Sequence, residues 1–476
     1  MQFTSLSFAL FVCILFYIYW LIPVKGRPFV LLIAGYLFYL TFSPYAVILL
    51  ILISFITYFA ALSGKKPAII TGMIIPVALL VFFKYGGLLP SFKGNIAVPV
   101  GVSFYFFKSI SYLYDVYKGK YEPEKKWVYV FLYLNFMPDL LAGPINRADK
   151  LIPELKKETD FNEESAVFGL RLILLGLFRK IVVANTLCIY TDRVFASPGS
   201  FMGLSSIIAM IFYTIQIYMD FAGYSEIARG CAALFNIRSA INFKRPYFSE
   251  SIGEFWRRWH ISLSEWLRDY VYIPLGGSKK GKVRTYLNLL ITFLVSGIWH
   301  GAGLNFIIWG LFHGIFQIFD RMIKRTILKG KKLPKILGQI VTFILAAFAW
   351  VFFRAENLSD AIVMIGNLFY DLSPHLAYLK LEMTRGNMIL IILGVLLVFI
   401  YDVYEEKLEK KPDAAEQKEP ADLSGPYEVR SKIEAVNKLD KLHAVFRFAI
   451  YLAVAVTILL VRLHVSGSQE FIYFNF

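Results

Sequence analysis

The sequence predicts an all-α protein that crosses a bilayer many times, and three observations support this. Hydrophobic residues make up 57% of the 476 positions and aromatic ones 17%, while only 18% are charged; an ordinary soluble domain has about a quarter charged. Several apolar runs reach the roughly 20 residues a helix needs to cross the hydrocarbon layer. Those runs are apolar on every face, whereas the strands of a membrane β-barrel alternate apolar and polar. The expectation is a single membrane domain over residues 1–476, with roughly ten to eleven crossings plus re-entrant and horizontal pieces, and no internal repeat.

Taken in order, Leu6 to Pro23 is the first span. No Lys or Arg precedes it, so it lacks the basic head of a signal peptide. Runs Pro28 to Phe42 and Tyr45 to Leu62 flank the breaker Ser43-Pro44. Lys25, Arg27, Lys65 and Lys66 then fall at one end of the hairpin, which the positive-inside rule makes cytoplasmic, with the N-terminus outside. Ala68 to Leu89 spans. Ala97 to Tyr117 opens on Pro99 and Gly101 and carries Lys108 and Asp115. It suits a re-entrant or cavity-lining helix, because irregular backbone at membrane depth needs cover from protein or water. Trp127 to Leu141 is apolar, Ala166 to Ile189 contains Arg171, Arg179, Lys180 and Asn185, and Met202 to Leu234 carries Gln216, Asp220 and Glu226.

Residues 237–282 contain no span. Their nine basic residues against four acidic ones mark a cytoplasmic, interfacial segment, with Trp256, Trp259, Trp266 and Tyr270 as interfacial anchors. Val283 to His300 and Leu304 to Phe319 read as a tight helical pair. Ile336 to Phe353, Met388 to Tyr401 and Val445 to Val465 are further spans, and Asp360 to Leu372 is an amphipathic piece. Residues 405–441 read as a polar cytoplasmic loop. The net charge of +16 would suggest nucleic acid in a soluble protein. Here it follows cytoplasmic loops, with a share available to an anionic substrate, and no nucleic-acid partner is expected.

Chemistry concentrates at the pair around His300. Asn288, Thr292, Ser296 and His300 are each four apart, so they stack on one helical face. Asn305, Trp309, His313 and Gln317 repeat the spacing on the next helix. Such stripes turn toward each other or toward a wet cavity. On spacing alone, hydrogen bonding between helices is the plainer account of the Asn, Thr and Ser positions. His300 sits among Gly297, Gly301 and Gly303, where backbone or ligand approaches closely. Taken alone it reads as structural or catalytic, and His313 as structural. Gln216 and Asp220 form a second polar set, with Tyr213 and Tyr224 on the same face; buried pairing with an Arg accounts for Asp220 as well as a role in a site does. No HxxxH, HExxH or paired-Cys spacing supports a metal, and Cys13, Cys188 and Cys231 are isolated. Gly223-Tyr224-Ser225-Glu226-Ile227 lacks the second glycine of a nucleophile elbow.

Residues 219–225 (MDFAGYS), 242–247 (NFKRPY), 255–264 (FWRRWHISLS), 266–270 (WLRDY), 273–277 (IPLGG) and 299–301 (WHG) closely resemble motifs of the membrane-bound O-acyltransferases, in the bacterial branch that acetylates exopolysaccharides. The resemblance implies a ring of tilted spans around a central tunnel. It implies His300 as the catalytic histidine and His260 as a second important one. It also implies acetyl-CoA as donor from the cytoplasm, no metal, and location in the bacterial cytoplasmic membrane. The acetyl group would go to an extracytoplasmic SGNH-like transferase working beside a glycan synthase. On that reading Lys244, Arg245, Arg257 and Arg258 would meet the polyanionic donor. Asn288, Ser296, Trp299, Asn305, Gln216 and Asp220 would line the substrate tunnel, with Asn305 or Trp299 N–H groups facing the oxyanion. The rivals are D-alanyl transfer from a carrier protein to teichoic acid, a transporter, and a non-catalytic scaffold of a glycan export system.

Overall fold

A computed structural model describes residues 1–88, 98–328, 333–370, 383–409, 440, 442–464, 471 and 472. Among them every regular element is helical. Helices α1 (Leu6–Leu21), α2 (Arg27–Leu40), α3 (Pro44–Leu62), α4 (Lys66–Tyr85), α5 (Val102–Tyr117), α6 (Trp127–Leu134), α7 (Ala148–Lys156) and α8 (Glu163–Leu177) come first. A π-helical turn, Phe178–Ala184, joins α8 to α9 (Asn185–Ala196). Then follow α10 (Leu204–Leu234), α11 (Ile252–Arg258), α12 (Ile261–Leu267), α13 (Lys282–His300), α14 (Leu304–Thr326), α15 (Lys335–Arg354) and α16 (Leu358–Asn367). The last two are α17 (Arg385–Glu409) and α18 (Ala444–His464).

Among the described residues eight helices are long and apolar enough to cross a membrane: α3, α4, the continuous helix Glu163–Ala196, α10, α14, α15, α17 and α18. The expected count was higher because α13, of 19 residues, and the shorter α1 and α2 were included. At 16 and 14 residues and 1.5 Å per residue, each falls short of the ~30 Å hydrocarbon thickness. Large apolar side chains lie exposed along single helix faces, as at Leu6, Leu10 and Ile14 of α1 and Ile48, Leu52, Phe55 and Phe59 of α3. In water such faces mark interaction surfaces; on a membrane protein they face lipid.

The chain packs as two compact units. The first comprises residues 1–177, 224–241 and 411–442; the second comprises 178–223, 242–410 and 443–476. In the first unit α5 forms within the stretch Ala97 to Tyr117, whose opening residue lies outside the described residues, and it is buried over most of its length. Gly101 starts it at φ +77°, and a Cβ there would lie 2.5 Å from the Leu140 carbonyl oxygen. Lys108, buried in α5, donates to Asp139 Oδ2 at 3.2 Å and to the Tyr133 carbonyl at 3.2 Å. The run Trp127 to Leu141 is helical only to Leu134. Asn135 leaves the helix to donate to the Leu32 carbonyl at 2.9 Å, and Pro138 continues the break.

In the second unit α13 and α14 form the predicted tight pair, with glycines as the cause. A Cβ at Gly297 would lie 2.4 Å from the Phe306 carbonyl oxygen, and one at Gly310 2.4 Å from that of Phe293. The two backbones touch. Arg179, in the π-helical turn, donates to Asp402 of α17 at 2.7 Å, and Asp402 also accepts from the Tyr218 hydroxyl at 2.9 Å. These polar residues do not interrupt the span because each is paired. Two expectations fail here. Trp256, Trp259 and Trp266 are not interfacial anchors but at least nine-tenths buried, the first two packed on other aromatic rings. Residues 405–409 belong to α17 rather than to a loop, with Glu405 and Glu406 buried against basic partners. Of the remainder of 405–441, all but residue 440 lies outside the described residues.

Replacing Gly297 by Ala will therefore force α13 and α14 apart. Thermal unfolding in detergent should show a loss of about 1–3 kcal/mol, the usual cost of overpacking, whereas Gly366→Ala, where a Cβ meets nothing within 4 Å, should change little.

Candidate active site

His300 is the last residue of α13, fixed there by the glycine contacts between α13 and α14. Its ring packs against Trp299, Trp309 and Phe353, with centroids 4.4, 5.0 and 4.9 Å away, and it is 2% exposed. Trp309 comes from α14 and Phe353 from α15, so three helices converge on the imidazole. Asn305 ties two of them together: its amide nitrogen donates to the Phe352 and Ala355 carbonyls at 3.2 and 2.9 Å. Two carbonyl acceptors fix which end of the amide is nitrogen. Asn305 therefore offers its Oδ1, an acceptor, rather than an oxyanion donor.

His313 belongs to the wall. Trp256 Nε1 donates to its Nδ1 at 3.2 Å. An indole N–H only donates, so Nδ1 is the acceptor and the hydrogen of the neutral ring sits on Nε2. Asn288 and Ser296 are buried on the His300 face of α13. The Asn288 amide donates to the Gly277 carbonyl at 2.9 Å, fastening the Gly276-Gly277 turn to the helix; Thr292 donates back to the Asn288 carbonyl at 2.6 Å.

Beside the His300 wall lies a cavity of about 490 Å³. Phe353 and Phe306 line it, so Phe353 touches the imidazole and also borders the cavity. Gln216 and Asp220, the second polar set, line it too, together with Lys180, Asp192 and Arg354. Asp220 is 1% exposed and is paired with Lys180, not with an arginine. It also accepts the Ile472 backbone N–H at 2.9 Å. Gln216 accepts from the Thr191 hydroxyl at 2.6 Å. Arg354 pairs with Asp192 at 2.6 Å, and Asp192 also accepts from the Cys188 thiol at 2.9 Å. The sequence reading did not single out Asp192. Its partner lies 162 positions away, and the only available signal was a carboxylate near the end of an apolar run.

His260 links α11 to α12 in the left-handed conformation, φ 40°, a strain that non-glycine residues tolerate only where surroundings impose it. Asn242 imposes it. Its carbonyl accepts from Ile261 N at 2.9 Å, and its Oδ1 meets His260 Nδ1 at 3.3 Å and Ser262 Oγ at 2.6 Å. Burial pushes the His260 imidazole down to about 3, so it is uncharged at neutral pH. From its neighbour Trp259 a file of rings runs to the candidate base: Trp259 to Trp350 at 4.8 Å, Trp350 to Phe353 at 5.3 Å, Phe353 to His300 at 4.9 Å.

The basic residues divide. Arg245, at φ 47°, pairs with Glu405 at 2.8 Å, Glu406 at 2.9 Å, and Glu409. Arg258 pairs with Glu254 at 2.7 Å and Glu406 at 2.9 Å. Their charges bind α17 to the 242–258 segment. Among the described residues Lys244 and Arg257 have no carboxylate partner. Lys244 is half-buried, and burial, with Arg245 and Arg258 beside it, lowers its pKa. Arg257 is exposed and lines a second cavity, of about 410 Å³, with Lys324 and Asp320.

A many-span helical protein with a buried imidazole at a helix end, beside a polar cavity, is built as a membrane enzyme. The comparisons with known proteins specify which kind. Residues 33–358 match the model of the membrane-bound O-acyltransferase family, and the chain belongs to that family. It is similar to a probable alginate O-acetylase of Pseudomonas putida, 36% identical over 76% of this chain and 78% of that one. It is also similar to a peptidoglycan O-acetyltransferase of Helicobacter pylori, 35% identical over 63% and 64%, and to a teichoic acid D-alanyltransferase of Bacillus subtilis, 26% identical over 55% and 70%. The protein is an O-acyltransferase of the membrane. Among the described residues no cluster of His, Cys, Asp or Glu could hold a metal ion.

Two outcomes follow. Lys180→Met alone leaves Asp220 uncompensated and should cost about 3–5 kcal/mol in detergent unfolding, while Lys180→Met/Asp220→Leu should recover most of it. For His260, the folded pKa lies below the unfolded value, so the unfolded state binds more protons between about 3 and 6.5. Its contribution is complete above about 6.5 and is lost as pH falls, by at most about 1.4 kcal/mol per pH unit. Melting from pH 7.5 to 5 should fall less steeply in His260→Gln than in the parent.

Proposed function

We propose that this protein transfers acetyl groups from acetyl-CoA toward a secreted or cell-envelope polysaccharide, with His300 as the general base. The supporting observation is the place of His300: a fixed imidazole at a helix end, one phenyl ring away from a polar cavity. The names of the relatives that act on alginate and peptidoglycan support a glycan acceptor.

The chemistry balances on this chain's own groups. The acceptor hydroxyl gives its proton to an imidazole nitrogen while its oxygen attacks the thioester carbonyl carbon. The tetrahedral intermediate collapses, the C–S bond breaks, and the leaving thiolate takes the proton back from the imidazolium. A ring ready to accept a proton must be neutral, and the groups packed on His300 are the uncharged rings of Trp299, Trp309 and Phe353. Of the four basic residues of the 242–258 segment, the donor's phosphates would meet Lys244 and Arg257, which have no carboxylate partner among the described residues, while Arg245 and Arg258 brace the segment that carries them.

Orientation follows from charge. Lys25, Arg27, Lys65 and Lys66 sit where α1 meets α2 and α3 meets α4, an end the positive-inside rule assigns to the cytoplasm. By the same rule the basic excess of residues 237–282 assigns that segment to the cytoplasm of a bacterial cytoplasmic membrane, where it would carry the donor contacts. The cavity beside His300 then serves the outer side, where a separate SGNH-like transferase or the glycan itself accepts the acetyl group, with the lipid bilayer as surrounding medium. Gln216 and Asp220 line the acceptor route; Asn288, Ser296, Trp299 and Asn305 shape the wall that presents His300.

His300→Ala should abolish glycan acetylation in cells, a loss of two orders of magnitude or more, at unchanged membrane abundance. Persistent acetylation would overturn the assignment. Purified protein offered radiolabelled acetyl-CoA or a D-alanyl-charged carrier separately should release CoA from the first and leave the second intact.

A further inference from the structure

The first unit holds a feature that acyl transfer does not use. A cavity of about 560 Å³ opens where α1 ends, α2 and α6 begin, and α7 ends, a volume in the range of small-molecule sites. Lys25, Arg27, Lys125, Lys126, Lys156 and Lys157 line it, with Glu158 the one carboxylate among the lining residues. Two of the six cations are paired: Lys156 with Glu124, and Lys157 with Glu154 at 2.9 Å. Lys25, Lys125 and Lys126 are exposed and, among the described residues, have no carboxylate partner.

The cup is a built one. Arg27 is held in place by donation to the Thr159 carbonyl at 2.6 Å and by the Tyr19 and Trp20 rings, 5.2 and 4.7 Å from its guanidinium carbon. The Lys125–Lys126 loop is pinned as well. The Tyr58 hydroxyl donates to the Lys125 carbonyl at 2.7 Å, and Lys126 N donates to Glu124 Oε1 at 3.0 Å. Beside the cup the surface turns apolar. Trp127 and Phe29 line the cavity and are 47% and 46% exposed, and α2 continues the exposed face through Ile33, Leu37 and Leu40, spacings that share one side of a helix. A basic recess that runs into an outward apolar stripe matches a molecule with an anionic head and hydrocarbon tails. A dissolved anion would leave the stripe unused.

We propose that this recess binds the phosphate headgroup of an anionic phospholipid, with the acyl chains lying along Phe29, Ile33 and Leu37. This holds independently of which acyl group the enzyme transfers. The experiment uses the full chain in phosphatidylcholine nanodiscs and spin-labelled phosphatidylglycerol, reading the immobilised lipid fraction. The parent should immobilise phosphatidylglycerol in preference to labelled phosphatidylcholine. Lys125→Gln/Lys126→Gln should weaken that preference by roughly ten-fold or more. Lys65→Gln/Lys66→Gln, an equal charge change at exposed lysines outside the cavity lining, should leave it nearly unchanged, and unaltered melting temperatures show that both variants are folded. Lys125→Arg/Lys126→Arg should keep the preference. Equal loss in both Gln pairs would overturn the proposal in favour of diffuse surface charge. Absence of any preference in the parent would overturn it outright. Displacement by millimolar inorganic phosphate at constant ionic strength would overturn it in favour of a soluble-anion site.

Discussion

A charge taken into an apolar interior must have its counter-charge there too, and this constraint organises the chain. Lys108 meets Asp139, Arg179 meets Asp402, Lys180 meets Asp220 and Arg245 meets Glu405 and Glu406, each residue 5% exposed or less apart from Glu406 at 6%. Each pairing joins segments distant in sequence, from 31 positions for Lys108 and Asp139 to 223 for Arg179 and Asp402. Ion pairs of this kind add little net stability compared with apolar packing, but losing one partner is costly. They act as registration pins that specify which helices lie together.

What could be read directly from the chain was whatever depends on local spacing. The four-residue repeat Asn288, Thr292, Ser296, His300 placed a polar face on α13, and Gly297 announced a close approach. Both hold because helix periodicity and the missing Cβ act over a few residues. Hydropathy alone marked most of the spans. What could not be read was partner choice. Lys180 reads as an interruption of a span, and only its pairing with Asp220 shows why the helix continues through it. Arg245 and Arg258 looked available to an anionic ligand because Glu405 and Glu406 stood among residues that resemble a polar loop. Trp256 and Trp259 suggested an interface by composition, and only the packing against Trp309, His313 and Trp350 shows them to be interior. Pairing across tens to hundreds of residues leaves no periodic trace.

The site combines two kinds of environment. Around His300 the walls are rings, which exclude water and hold the imidazole by shape. In the adjoining cavity the walls include the pairs Lys180–Asp220 and Arg354–Asp192, the Gln216 amide and the Glu356 carboxylate, which keep the space polar. On the proposed reading the two have separate uses: the ring-walled place for proton exchange and the polar cavity for the approach of the acceptor hydroxyl. Phe353 belongs to both.

The glycine contact between α13 and α14 has a mechanical consequence. Sliding either helix by one residue would drive a side chain into the opposite main chain, so the imidazole at the end of α13 is a stationary part, like an anvil. Whatever moves during turnover is something else: the reactants, or the rings that stand between them and the anvil.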